Sequence, residues 1–187
     1  MKKPKKEEKP LSGAQDAYEW LQILIVALVT IILVFTFVGR ITPVVGESML
    51  PTLHEGDVML IRDIGYTDPQ PGDIVVLTKE FDAARGPIVK RIIAVEGQTV
   101  DIDYQTGAVY VDGEALDEPY LNEPMEEPWY EDLTSVTVPE GSVFVMGDNR
   151  NHSNDSRDVT LGTVDTRYLL GKAEFICFPF SDFGRIG

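Results

Sequence analysis

The run Trp20–Val38, WLQILIVALVTIILVFTFV, constrains this chain more than any other feature. It holds no charged residue, and Gln22 is its only strongly polar side chain. As a helix rising about 1.5 Å per residue it spans roughly 28 Å, close to the hydrocarbon thickness of a bilayer. In lipid every backbone polar group needs an internal partner, which makes a helix the natural form. A buried core helix would carry a polar face. A cleaved leader would have a shorter apolar run followed by an A-x-A site. The sequence shows neither, and the run reads as a membrane anchor, with Trp20 at one interface and Arg40 just beyond the other.

The flanks set the orientation. Lys2, Lys3, Lys5, Lys6 and Lys9 precede the run, and only Arg40 follows it closely. Positive residues stay in the cytoplasm. Residues 1–19 are therefore expected to form a cytoplasmic basic tail and 20–38 a single transmembrane helix. Residues 39–187 would then form a soluble domain on the extracytoplasmic face of the cell membrane.

That third part is rich in short β-prone runs. They are DVMLI at 57–61, DIVVL at 73–77, IVKRIIAV at 88–95, SVTV at 135–138, SVFVM at 142–146 and AEFICF at 173–178. Gly and Pro punctuate them. AVYVDGEAL, 108–116, places Asp112-Gly113 where a hairpin turn is expected. A short turn is expected near Thr166–Leu170. No Lys or Arg occurs between Ile92 and Asn149, and DEPYLNEPMEEPWYEDL, 117–133, is acidic and Pro-rich. About 100–140 reads as an acidic insertion or cap-like subregion. Its acidic side chains are expected to form a solvated face; a contact surface for a basic partner is the other reading.

A net charge of -15 argues against a broad basic face for nucleic acid. Cys177 is the only cysteine. It cannot form an internal disulfide, and with only His54 and His152 beside it no zinc site is expected. No metal and no cofactor is implied, and Cys177 is expected as a small buried hydrophobe.

Three segments suggest chemistry. In PVVGESMLPTL, 43–53, the serine hydroxyl of Ser48 sits among apolar residues after the flexible Gly46. Such a serine needs a base, and His54, His152 and a lysine are the candidates. Lys90 lies inside PIVKRIIAV, where burial would lower its pKa and make the amine a base. A lysine that snorkels from an edge strand is the commoner case. His54 follows Ser48 too closely to face it easily, which leaves His152 as the better histidine rival. In GDNRNHSNDSR, 147–157, Asp155 and Arg157 could form a fixed ion pair, and Ser153 could bond a neutral amine.

These segments, GESMLPTL, VKRIIAVEGQTV (89–100) and GDNRNHSNDSR, resemble in order and spacing the motifs of bacterial type I signal peptidases. DVMLIRDIGY and PQPGDIVVL resemble the strands between, and the likeness covers about residues 20–178. The resemblance implies a mainly β fold: a coiled antiparallel catalytic sheet with a β-ribbon insertion, behind one N-terminal transmembrane helix. It implies a serine endopeptidase that removes signal peptides from secreted preproteins after small residues at -1 and -3. Ser48 would be the nucleophile and Lys90 the general base, acting through an acyl-enzyme. Ser153 would orient the lysine, Asp155 and Arg157 would support it, and Gly147 would line the site. Val44, Met49, Leu53 and Val89 match pocket-lining positions. Some members place a serine hydroxyl in the oxyanion hole two residues before the nucleophile. Here that residue is Gly46, so the Ser48 backbone N–H and the Gly46 region would have to serve. An apolar surface near residues 40–53 would rest on the bilayer.

Two other readings stand beside this one. A self-cleaving repressor-type protease shares Ser-Lys chemistry but carries a DNA-binding element where this chain has its apolar run. An inactive membrane-tethered β domain would serve as an assembly or chaperone partner; the presence of both Ser48 and Lys90 counts against it.

Overall fold

The computed structural model describes residues 13–37, 39–81, 86–126 and 133–186. The basic tail through residue 12 and the acidic residues 127–132 lie outside the described residues. The chain divides into two compact units, 1–38 and 39–187.

The first unit is one helix, α1, Gly13–Phe37. It begins seven residues earlier than the apolar run because AQDAYE is itself helix-compatible, and Asp16 lies in the first turn, where an acid suits the helix dipole. Its stretch Gln15–Leu33 is long and apolar enough to cross a membrane.

The second unit is β. Its strands are β1 (Arg40–Pro43), β2 (Val58–Arg62), β3 (Ile74–Leu77), β4 (Ile88–Val95), β5 (Thr99–Asp103), β6 (Ala108–Val111), β7 (Glu114–Ala115), β8 (Ser135–Thr137), β9 (Ser142–Met146), β10 (Val164–Asp165), β11 (Leu169–Phe178) and β12 (Gly184–Arg185). The main sheet runs β1-β2-β11-β3-β4-β9-β10, with β12 on β11, and a smaller sheet runs β7-β6-β5-β8. The pairings are antiparallel. The mainly β fold with a small second sheet is therefore as the sequence suggested.

Unbroken apolar runs become central strands buried on both faces. Ile74 and Val76 of β3 enter one core cluster with Met59, Ile61 and Ala173, whereas Val75 and Leu77 enter another with Ile92, Val145 and Leu161. Register shifts in β4 and β11 mark bulges, which bend strands and curl the sheet. One bulge falls between Ile176 and Phe178, and there Cys177 is half-buried rather than fully buried as expected.

The small sheet is inserted between β4 and β9, which pair in the main sheet. Ile93, Ala94, Phe144 and Met146 form a third cluster with Val100, Val109, Met125 and Val138, so the insertion packs on the strands that carry it. The Asp112-Gly113 turn has positive φ at both residues, 53° and 82°, the backbone a tight hairpin requires. Thr166–Tyr168 forms the expected short turn, as a 3₁₀ helix. Strands β1, β5, β10 and β12 were not legible as runs, being short or flanked by polar residues.

Gly171 in β11 has φ +149°, and a Cβ there would lie 2.5 Å from Arg62 O on the neighbouring strand. Gly171→Ala is expected to cost about 2 kcal/mol, lowering the thermal midpoint by roughly 4–8 °C. An unchanged midpoint in a melt of the full chain would contradict this packing.

Candidate active site

Residues 44–57 form the loop joining the paired strands β1 and β2. Val44 N–H donates to Asp57 O at 2.7 Å, closing the neck of the loop. Val44, Met49 and Leu53 sink into the first core cluster, and each is at most 3 % exposed. With those side chains inside, Ser48 is left half-buried at the loop's turn.

Lys90 comes from β4 and is 3 % exposed. Its Nζ lies 2.6 Å from Ser48 Oγ and 3.0 Å from Val89 O. At that distance an ammonium donates to the hydroxyl, and a neutral amine accepts from it. Burial pushes the amine down from 10.5 to about 8; the charges of Asp155 and Asp148 resist this and that of Arg157 assists it.

The third component follows β9. The Arg91↔Met146 register brings Gly147 and Asp148 beside the middle of β4. A Cβ at Gly147 would lie 2.4 Å from Ser48 O and 2.3 Å from Ser153 Oγ, so only glycine fits between them. Asp155 is fully buried. It accepts from Gly147 N–H at 2.9 Å, from Ser153 Oγ at 2.7 Å and from Arg157 Nε at 2.8 Å. Burial alone would raise its pKa, but the charge and hydrogen bonds of Arg157, with the Gly147 and Ser153 bonds, hold it below the ordinary carboxylate value.

Sequence-selected residues thus meet: Ser48 with Lys90, Ser153 with Asp155, and Asp155 with Arg157. Ser153 Oγ donates to the Asp155 carboxylate at 2.7 Å. Of the expected pocket residues, Val44, Met49 and Leu53 are core side chains, and only Val89 is partly exposed. His54 and His152 are both exposed, and the hydrogen bond at Ser48 Oγ is with Lys90.

The structure adds residues that motif reading missed. Arg91 forms a two-bond pair with Asp148 at 2.8 and 2.7 Å, and its guanidinium lies 4.0 Å over the Tyr120 ring. Asp148 also accepts from Thr52 of the Ser48 loop. Arg150 pairs with Glu118 and donates to Gly147 O at 3.0 Å; Tyr120 OH donates to Glu118 at 2.9 Å. Asn151 ties to Glu123, Pro124 and Glu126. The acidic segment is therefore more than a solvated face. Through Glu118, Tyr120 and Met125 its described part is packed onto the 147–157 loop, because a buried Arg150 needs a buried acid. The available signal was Arg91 itself, a second cation in a strand otherwise made to be buried.

With this geometry in view, the family described as signal peptidase, peptidase S26, matches residues 17–178. The chain is 40% identical over 178 residues to a probable signal peptidase I-1 of Synechocystis sp., covering 90% of this chain and 86% of that one. It is 36% identical over 184 residues to signal peptidase I of Bacillus licheniformis, with coverages of 94% and 96%. It is 34% identical over 183 residues to signal peptidase I S of Bacillus subtilis, with coverages of 92% and 95%.

The buried amine carries a stability cost with a definite pH window. Below about 8 Lys90 is charged in both the folded and unfolded chain, and the folded form bears the full desolvation penalty. Between about 8 and 10.5 only the unfolded chain keeps the proton, so wild-type stability rises with pH. Lys90→Met is expected to melt higher than wild type at pH 6.5 and to lose that advantage by about pH 10. Parallel melting curves across the range would refute the desolvated amine.

Proposed function

The chain belongs to the signal peptidase family, peptidase S26, and is a serine endopeptidase that cleaves signal peptides from preproteins; from this premise we propose that Ser48 is its nucleophile and Lys90 its general base. The observation that carries the reading is the 2.6 Å contact between a buried amine and a half-buried hydroxyl.

Neutral Lys90 takes the Ser48 proton as Oγ attacks the scissile carbonyl. The developing oxyanion is met by the Ser48 backbone N–H. The Lys90 ammonium then gives its proton to the leaving amine of the mature protein, and an acyl-enzyme remains on Ser48. Lys90 next activates the water that releases the signal peptide. Asp155, fixed by Arg157, Gly147 and Ser153, braces the loop that packs against Ser48 and favours the Lys90 ammonium formed when the amine takes the proton. Val44, Met49 and Leu53, already packed in the core, give the -1 and -3 pockets a floor that cannot deepen, which excludes large side chains by overlap.

The helix α1 anchors the enzyme in the membrane, with the lysine-rich tail in the cytoplasm and the β unit outside. An exposed apolar face of the β unit suits contact with the bilayer surface. Ile41, Leu60 and Phe175 lie in one row across β1, β2 and β11, and Val45, Phe178, Phe180 and Phe183 are exposed.

Ser48→Ala and Lys90→Ala should each abolish preprotein cleavage, whereas His152→Ala should stay within a few-fold of wild type. A folded but inactive His152→Ala enzyme would transfer the base role to histidine. Because the neutral amine is the active form, kcat/KM should climb as pH approaches and passes about 8 and level off above it. A profile flat from pH 6 to 10 would exclude Lys90 as the base.

A further inference from the structure

We propose that Asn149 is a positioning residue that grips both peptide units flanking Ser48 and so aims the Ser48 N–H at the developing oxyanion. The proposal rests on the reading of Ser48 as nucleophile.

Asn149 makes two contacts of different kinds to the same short stretch. Its backbone N–H donates to Ser48 O at 3.0 Å, and its side-chain Nδ2 donates to Glu47 O at 3.1 Å. Leu50 N–H also donates to Glu47 O at 3.1 Å, so both lone pairs of that carbonyl are engaged. A trans peptide is planar, and its C=O and N–H point in opposite directions. Holding Glu47 O therefore fixes where the N–H of Ser48 points. Holding Ser48 O fixes the next plane as well. With both planes set, the backbone torsions at Ser48 are set, and with them the directions of its N–H and its Cα–Cβ bond; the Lys90 contact then holds Oγ.

The donor so aimed is unused by the protein: Ser48 N–H donates to no other group among the described residues. Gly46, two residues before, has no side chain that could share the task, and its positive φ of 86° turns the chain just ahead of the gripped units. Asn149 is itself held on both sides. Asp148 is locked to Arg91, and Arg150 is locked to Glu118 and Gly147 O. A clamp at Asn149 thus transmits the rigidity of two buried ion pairs to one peptide unit. The side chain touches no reacting atom, so its effect falls on the transition state through the donor it orients.

The test uses the purified full chain in detergent with a preprotein substrate. Asn149→Ala removes side-chain bulk and donor; Asn149→Leu restores most of the bulk without the donor. Losing an oxyanion donor outright costs about 10²–10³ in kcat, and loosening one that remains should cost about 10-fold. Both variants are expected to show that fall in kcat with KM nearly unchanged and with the pH midpoint still near 8. Both should bind a peptide aldehyde, whose adduct with Ser48 mimics the tetrahedral intermediate, more weakly by the same factor as kcat/KM. Wild-type kcat in either variant would overturn the proposal. So would a loss that appears equally in KM, or one accompanied by a shifted pH midpoint, because either marks general disturbance of the loop. Ser48→Ala is run alongside: if it still cleaves, the nucleophile assignment itself falls, whatever Asn149 does.

Discussion

An amine kept out of water beside a hydroxyl is the constraint on which the rest of this domain depends. A lysine in solvent is protonated at neutral pH and is no base. Burial lowers the pKa, but buried carboxylates nearby would undo the effect by favouring the ammonium. Two such carboxylates, Asp155 and Asp148, act on Lys90 in that direction. Each is matched by its own arginine, Arg157 and Arg91, in a pair with short charge-assisted bonds. The matched pairs hold the loop in place, Arg157 offsets the pull of Asp155 on the amine, and desolvation remains the largest influence on Lys90. Lone acids in the same places would hold the loop and charge the lysine.

This requirement explains why the site is assembled from three distant pieces. Depth comes from β4, a central, largely buried strand between β3 and β9. The hydroxyl must nevertheless reach a substrate, so it sits on the loop between β1 and β2, whose apolar residues are drawn into the core while Ser48 stays at the turn. The stretch after β9 joins the two. Gly147 passes between Ser48 O and Ser153 because it has no side chain, and Asp148 reaches both Arg91 on β4 and Thr52 on the loop.

Much of this was legible in the chain. The apolar run, the central strands and the Asp112-Gly113 hairpin follow from local pattern, since each is decided by burial or by one turn's torsions. Ser48, Lys90, Asp155 and Arg157 were selected by residue chemistry together with a family resemblance spread over three segments. What local pattern could not show is partnership across the sheet. Glu118 is one of many acids in a stretch that contains no cation, and nothing nearby marks it as the partner of Arg150, 32 residues away. The hydrogen bond from Ser153 to Asp155, two residues on, joins two residues that were each selected for a different partner. Short strands such as β1 and β10 are fixed by their pairing partners and leave little trace in composition.

The same logic gives the insertion a structural purpose. Met125 helps to fill the cluster under β4 and β9, and Arg157 Nη1 lies 3.3 Å from its sulfur. Glu118 and Tyr120 come from the connection between β7 and β8 and close over Arg150 and Arg91. Four of the buried charged groups around the site, Arg91 with Asp148 and Arg150 with Glu118, therefore meet partners across the boundary between strand and loop or between loop and insertion. Removing one member of such a pair leaves an uncompensated buried charge, at a cost of about 3–5 kcal/mol. An acid-rich segment can thus be indispensable through one buried carboxylate, with Tyr120 and Met125 packed beside it. The charge count of the segment says little about its importance; the location of Glu118 opposite Arg150 says most of it.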